Sequence, residues 1–176
     1  MKKTMTAILV LTMIIGLSSF AIGQEAANAT VDAVVLANLT LTKNFDVDFG
    51  NIAATGTPIL NPKGTGHTDV GTTNQVGEFT VTGSSTAQIS LAYPSSVTLG
   101  DGSAATLTFT VDLEGHADTQ GSAANVVSGT QVTLGASGYK FWLGGNMGTL
   151  TNQATGTYAS DASNGGGDFT LTVEYY

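Results

Sequence analysis

Asp168-Phe169-Thr170-Leu171-Thr172-Val173-Glu174-Tyr175-Tyr176 closes the chain. In an extended backbone successive side chains point to opposite faces, so Phe169, Leu171, Val173 and Tyr175 fall on one side. Thr170, Thr172, Glu174 and Tyr176 fall on the other. Such alternation, in β-branched and aromatic residues, predicts a half-buried strand. Seating each apolar side chain is worth roughly 1.5–3 kcal/mol before ordering costs. That is a large share of the ~5–15 kcal/mol that holds a domain together, so removing the strand is expected to unfold it.

The same period of two recurs upstream. From residue 27 the odd positions read Ala27, Ala29, Val31, Ala33, Val35, Ala37, Leu39 and Leu41, with polar residues between them except at Val34 and Leu36. Strands usually run about 3–10 residues. This longer run therefore either bends into two strands near Ala37-Asn38 or begins outside the body of the domain. Shorter extended pieces follow at 46–52, at 57–60 before the turn Asn61-Pro62-Lys63-Gly64, and at 77–83, 87–93 and 97–99. Further on, 107–113 turns Leu107, Phe109, Val111 and Leu113 inward, and 132–134, 139–145, 147–150 and 155–159 complete the set. A polar link occupies 114–129, and a Gly/Ser/Asn loop at 161–167 precedes the last strand. Roughly ten short strands with turn signals between them and no convincing helix predict an all-β chain, a single antiparallel β-sandwich.

Residues 1–23 read as a secretory signal peptide. Lys2 and Lys3 precede an apolar run from Ala7 to Phe20, and Ala21-Ile22-Gly23 offers small residues at a cleavage site. The run is short for a membrane span, which needs ~20 apolar residues. No cysteine follows it to carry a lipid. The expected mature domain is 24–176, with no membrane insertion after cleavage. It has only Lys43, Lys63 and Lys140 as cations against all 13 acids of the chain, a formal net charge of −10. Such a surface cannot neutralise a phosphate backbone, so nucleic acid is excluded as a partner. With no cysteine available for a disulfide, burial and strand pairing must supply the stability.

Little in the sequence points to catalysis. His67 and His116 lie far apart in polar loops, without the nitrogen or sulfur ligands that zinc requires. Asp46/Asp48 and Asp112/Glu114 each place two carboxylates on one side of a strand, a start for calcium binding or glycoside hydrolysis. Acids near strand ends are ordinary on an acidic surface, and solvation is the favoured reading. No nucleophile elbow, zinc-protease motif or phosphate-cradling loop is present. The expectation is a non-enzyme with no cofactor and no metal. Trp142, the only Trp, stands on the opposite face of its strand from Tyr139, Phe141 and Leu143. That makes it the candidate glycan contact of a carbohydrate-binding alternative.

Several stretches together carry a family resemblance: Asp48-Phe49-Gly50, the strand at 77–83, Trp142-Leu143-Gly144-Gly145, Gly156-Thr157-Tyr158 and the closing 169–175 strand. In order and spacing they resemble family 4402 of bacterial secreted domains of unknown function. That family is similar in turn to fimbrial-subunit and spore-coat-U β-sandwiches. The resemblance implies an immunoglobulin-like or pilin-like sandwich whose terminal strand, with Tyr175 as its penultimate aromatic, borders a groove left by a missing strand. A neighbour's N-terminal extension fills such a groove. Ala27, Ala29, Val31, Ala33 and Val35 form the candidate strand-addition segment. The expected function is that of an exported cell-surface structural or adhesive protein, located in the periplasm, on the outer surface or outside the cell. Its expected partners are itself or other surface subunits, with a periplasmic chaperone.

Overall fold

The computed structural model describes Thr30 and residues 32–176. The expected leader at 1–23, and Ala27, Ala29 and Val31 of the strand-addition segment, lie outside the described residues. The chain divides into two compact units, residues 1–34 and 35–176. Of the first, Thr30, Asp32, Ala33 and Val34 are described, all exposed and none in a strand.

The second unit is all-β, with ten strands in two antiparallel sheets. In chain order they are β1 (Thr40–Phe45), β2 (Ile59–Leu60), β3 (Gly77–Thr82), β4 (Gln88–Ala92), β5 (Ser96–Gly100), β6 (Thr106–His116), β7 (Ala124–Asn125), β8 (Gln131–Thr133), β9 (Tyr139–Asn146) and β10 (Thr172–Tyr175). The larger sheet runs β1-β3-β9-β6-β5, with β2 beside β9 and β7 beside β6. The smaller runs β10-β4-β8. Gly83-Ser84 and Pro94 sit in the links where the chain changes sheet, before β4 and after it. Ile89 and Leu91 from the smaller sheet join Val81, Phe109, Leu113, Phe141 and Leu143 from the larger in one buried cluster. The two sheets therefore close on a shared apolar layer, which is the sandwich that the alternation predicts.

β9 is buried on both faces from Phe141 to Gly145. Its inner face meets the core, while Leu60 and the turn at Pro62 cover its outer face. A Cβ on Gly144 would stand 2.1 Å from the carbonyl oxygen of Leu60, so only glycine lets the two backbones approach.

The structure departs from the sequence reading at four places. Of the two readings of the run at 27–41, the bend into two strands does not occur in its described part: 32–39 is not strand, and β1 begins at Thr40. Thr40 pairs with Thr82, the last residue of β3, and no strand among the described residues runs beside 32–39. Residues 46–52 contribute only a bridge from Asp48 to Gln75, beyond the end of the β1–β3 ladder at Phe45 and Glu78. The pieces at 147–150 and 155–159 likewise reduce to single bridges, Gly56 to Leu150 and Gly100 to Ala159. Conversely, β7 lies inside the stretch expected to be a polar link, where Val126 is buried.

Candidate functional site

Among the described residues, β10 is the outermost strand of its sheet and has a partner on one side only. It pairs antiparallel with β4, Val173 opposite Leu91 and Tyr175 opposite Ile89. The expected alternation holds: Leu171 is buried, Phe169, Val173 and Tyr175 are half-buried, and Thr170, Thr172, Glu174 and Tyr176 are exposed. The amide of Tyr176 donates to the carbonyl of Gln88 at 3.0 Å. Alternation then turns the amides of Glu174 and Thr172 toward β4 as well, and those of Val173 and Tyr175 away from it. The ladder itself covers only Thr172–Tyr175. Upstream, Phe169 is held by rings instead, its centroid 6.0 Å from Phe79 and 6.3 Å from Tyr93.

A cleft of about 970 Å³ opens beside the 168–170 stretch that leads into β10. Its apolar lining comes from alternate positions of the larger sheet, including Phe79, Val97, Leu99, Leu107, Phe109 and Leu143. Phe49 braces Phe109 edge-on, with centroids 5.8 Å apart. Of these lining residues, Val97, Leu107, Phe109 and Leu143 are buried, and Phe79 and Leu99 are half-buried. Lys43, Asp46, Asp48 and Asp168 supply the charges around the opening.

The chain entering the domain passes the far end of β10. The amide of Ala37 donates to Ser84 Oγ at 2.6 Å, the Tyr175 hydroxyl donates to the Ala37 carbonyl at 2.8 Å, and the Ser84 amide donates to the same hydroxyl at 2.7 Å. A Cβ at position 83 would stand 2.3 Å from that hydroxyl, so Gly83 makes room for it. Immediately before this anchor, Val35 is 93 % exposed and Leu36 43 %. Of the strand-addition segment, Ala33 and Val35 are described, and both are exposed and unpaired within the described chain.

Trp142 does stand on the face of β9 opposite Phe141, but it is only 3 % exposed. The carbohydrate reading required an exposed stacking ring there, and the covering loops remove it. The indole instead donates to Glu78 Oε2 at 3.1 Å. Glu78 Oε1 accepts from Asn44 at 2.8 Å and from Lys140 at 3.1 Å. Burial opposes the charge on Glu78, yet these hydrogen bonds and the Lys140 ammonium hold its carboxyl below the ordinary value. Two strands on, Glu114 pairs across the sheet with the same Trp142. Burial pushes Glu114 up, Lys63 at 3.9 Å opposes the shift, and Asp112 adds to it. Its Oε2 is buried without a hydrogen-bond partner. The sequence signal for the Glu78 cluster was a lone acid within an otherwise apolar and Thr-rich strand, facing the only Trp.

The remaining candidates are local. His67 Nδ1 accepts from the Asn61 amide at 3.0 Å, and His116 Nδ1 accepts from the amides of Asp118 and Thr119 at 3.1 and 3.0 Å. Both histidines are half-buried: His67 braces its own loop, and His116, placed in a polar loop by the sequence, ends β6 and braces the turn after it. Asp46 pairs with Lys43, and Asp48 accepts from the Gly50 amide at 2.7 Å. Among the described residues no three His, Asp or Glu come together.

Residues 39–175 match the family model described as "Domain of unknown function (DUF4402)". No curated protein matches the chain.

Proposed function

The chain belongs to the DUF4402 family, and we propose that it is an exported, non-enzymatic surface subunit, structural or adhesive, that associates by β-strand addition. The observation that carries this reading is the edge of β10, unpaired among the described residues, with the 168–170 stretch before it bordering a cleft of mixed polar and apolar lining. An edge strand offers a row of free amides and carbonyls. An added strand satisfies that row through its main chain and gains specificity by seating alternate side chains. The 27–35 segment is the strand this subunit offers in return. Ala27, Ala29, Val31, Ala33 and Val35 place small apolar side chains at every second position, and no strand of the described chain pairs with its described part. Export follows from the leader at 1–23 and delivers the protein to the periplasm or beyond. A periplasmic chaperone that shields the edge before assembly fits this scheme, as does the pilin-like ordering of the last strand.

Deleting residues 24–35 tests the proposal. Loss of the assemblies formed with its surface partners in sedimentation, with the circular dichroism of an intact β-fold, is the expected result. Assemblies of unchanged size would overturn it.

A further inference from the structure

We infer that the strand taken up by this cleft comes from a different protein, apolar at alternate positions and basic at its flanks, and not from a second copy of this chain. This rests on the strand-addition reading and specifies the partner. The apolar lining sets the alternation of the guest but is silent on its source; the charges around the opening are not. They are Asp46, Asp48 and Asp168 with one cation, Lys43. That cation is already paired, its Nζ 2.5 Å from Asp46 Oδ1. The other two lysines of residues 35–176 are paired as well, Lys63 with Glu114 and Lys140 with Glu78. No unpaired ammonium is therefore left in this unit to receive an acidic guest.

The chain's own donor segment is such a guest. Residues 24–35 carry Glu25 and Asp32 and no cationic side chain, so the terminal ammonium freed by leader removal is their one positive charge. Seated in the cleft of a second copy, they would bring two further negative charges to an acidic rim, on a partner of the same net sign. Charges within about 8 Å of one another are felt at physiological salt. A lysine at either position would turn repulsion into attraction. The donor and the cleft of this chain are thus mismatched to each other, while each suits a partner of opposite flanking charge.

Three synthetic peptides test the inference against the full chain after leader removal: residues 24–36 as they stand, the same peptide with Glu25→Lys and Asp32→Lys, and a scrambled order of the lysine peptide. Binding is read by calorimetry at about 20 mM and about 300 mM salt, on either side of effective screening. The lysine peptide is expected to bind about tenfold tighter than the native one at low salt. The gap should close at high salt, and the scrambled peptide should bind more weakly than the ordered one. Equal affinity of the two ordered peptides, or tighter binding of the native one, would overturn the inference and leave strand addition standing. A scrambled peptide as tight as the ordered one would reduce the effect to plain charge attraction and overturn it too. No binding of any peptide at either salt would overturn both readings.

Discussion

The hydroxyl of Tyr175 donates to the carbonyl of Ala37 at 2.8 Å while accepting from the amide of Ser84 at 2.7 Å. One side chain of the last strand thereby fixes the start of the domain and the link between its sheets. Tyr175→Phe keeps the ring and removes both bonds. The site is half-exposed, so water can take over part of the loss, and the expected cost is about 1 kcal/mol in urea unfolding. Protease cleavage near Ala37 should rise in the same variant, since the chain there loses its anchor.

Facing along the last strand separates two neighbouring substitutions. Leu171 is buried and Thr172 is exposed. Leu171→Ala is expected to cost about 2–5 kcal/mol through lost burial and a residual cavity. Thr172→Ala should stay within about 0.5 kcal/mol. Equal effects would mean that the strand does not sit as described.

Glu78 and Glu114 flank Trp142 across the sheet but respond to pH in opposite ways. Glu78 is held below its ordinary value of 4.5. Its contribution is therefore complete above that value in the unfolded chain and is lost as pH falls through the lower folded value. Glu78→Gln should cost about 1–3 kcal/mol at neutral pH, and the difference from the parent should shrink as the pH drops below 4.5. Glu114 is raised above 4.5, so its ionisation works against the fold, and what it contributes falls as pH rises through that interval. Glu114→Gln should be as stable as the parent at neutral pH, or more so. Chemical denaturation across pH separates the two.

Gly144 lies against the backbone of Leu60 and the ring of Pro62, with no room for a methyl group. Gly144→Ala should cost at least about 2 kcal/mol, because the loop over Trp142 has to move. A Cβ on Gly167 would meet nothing within 4 Å. Gly167→Ala should be neutral within about 0.5 kcal/mol in the same thermal unfolding series.

Much of this architecture was legible in residue periodicity. The alternation read at 77–83, 87–93 and 107–113 located β3, β4 and most of β6, and the stretch at 139–145 located β9, whereas residues 114–116, read as the start of a polar link, extend β6. What escaped was pairing, which is non-local. Ala33, Val35 and Ala37 have strand-like spacing, but β3 ends at Thr82 and offers them no ladder. Ala124 and Asn125 have almost no pattern and become β7 because Glu114 and Gly115 leave an open edge beside them. Trp142 could be assigned to the correct face of its strand. Its burial could not be read from the strand itself, since Leu60 and Pro62, which lie against the same face of β9 at Gly144, are about 80 residues away. The cleft beside residues 168–170 draws its lining from β1, β3, β5, β6, β9 and the loops between them, and no single stretch of sequence encodes it.

Amide hydrogen exchange at β10 tests strand addition most directly. The amides of Val173 and Tyr175 point away from β4, and those of Thr172 and Glu174 toward it. In the monomer the first pair should exchange far faster than the second, and in the assembled protein the first pair should become protected. Outward amides that remain unprotected after assembly, or that are already protected in the monomer, would contradict an open edge that a partner strand completes.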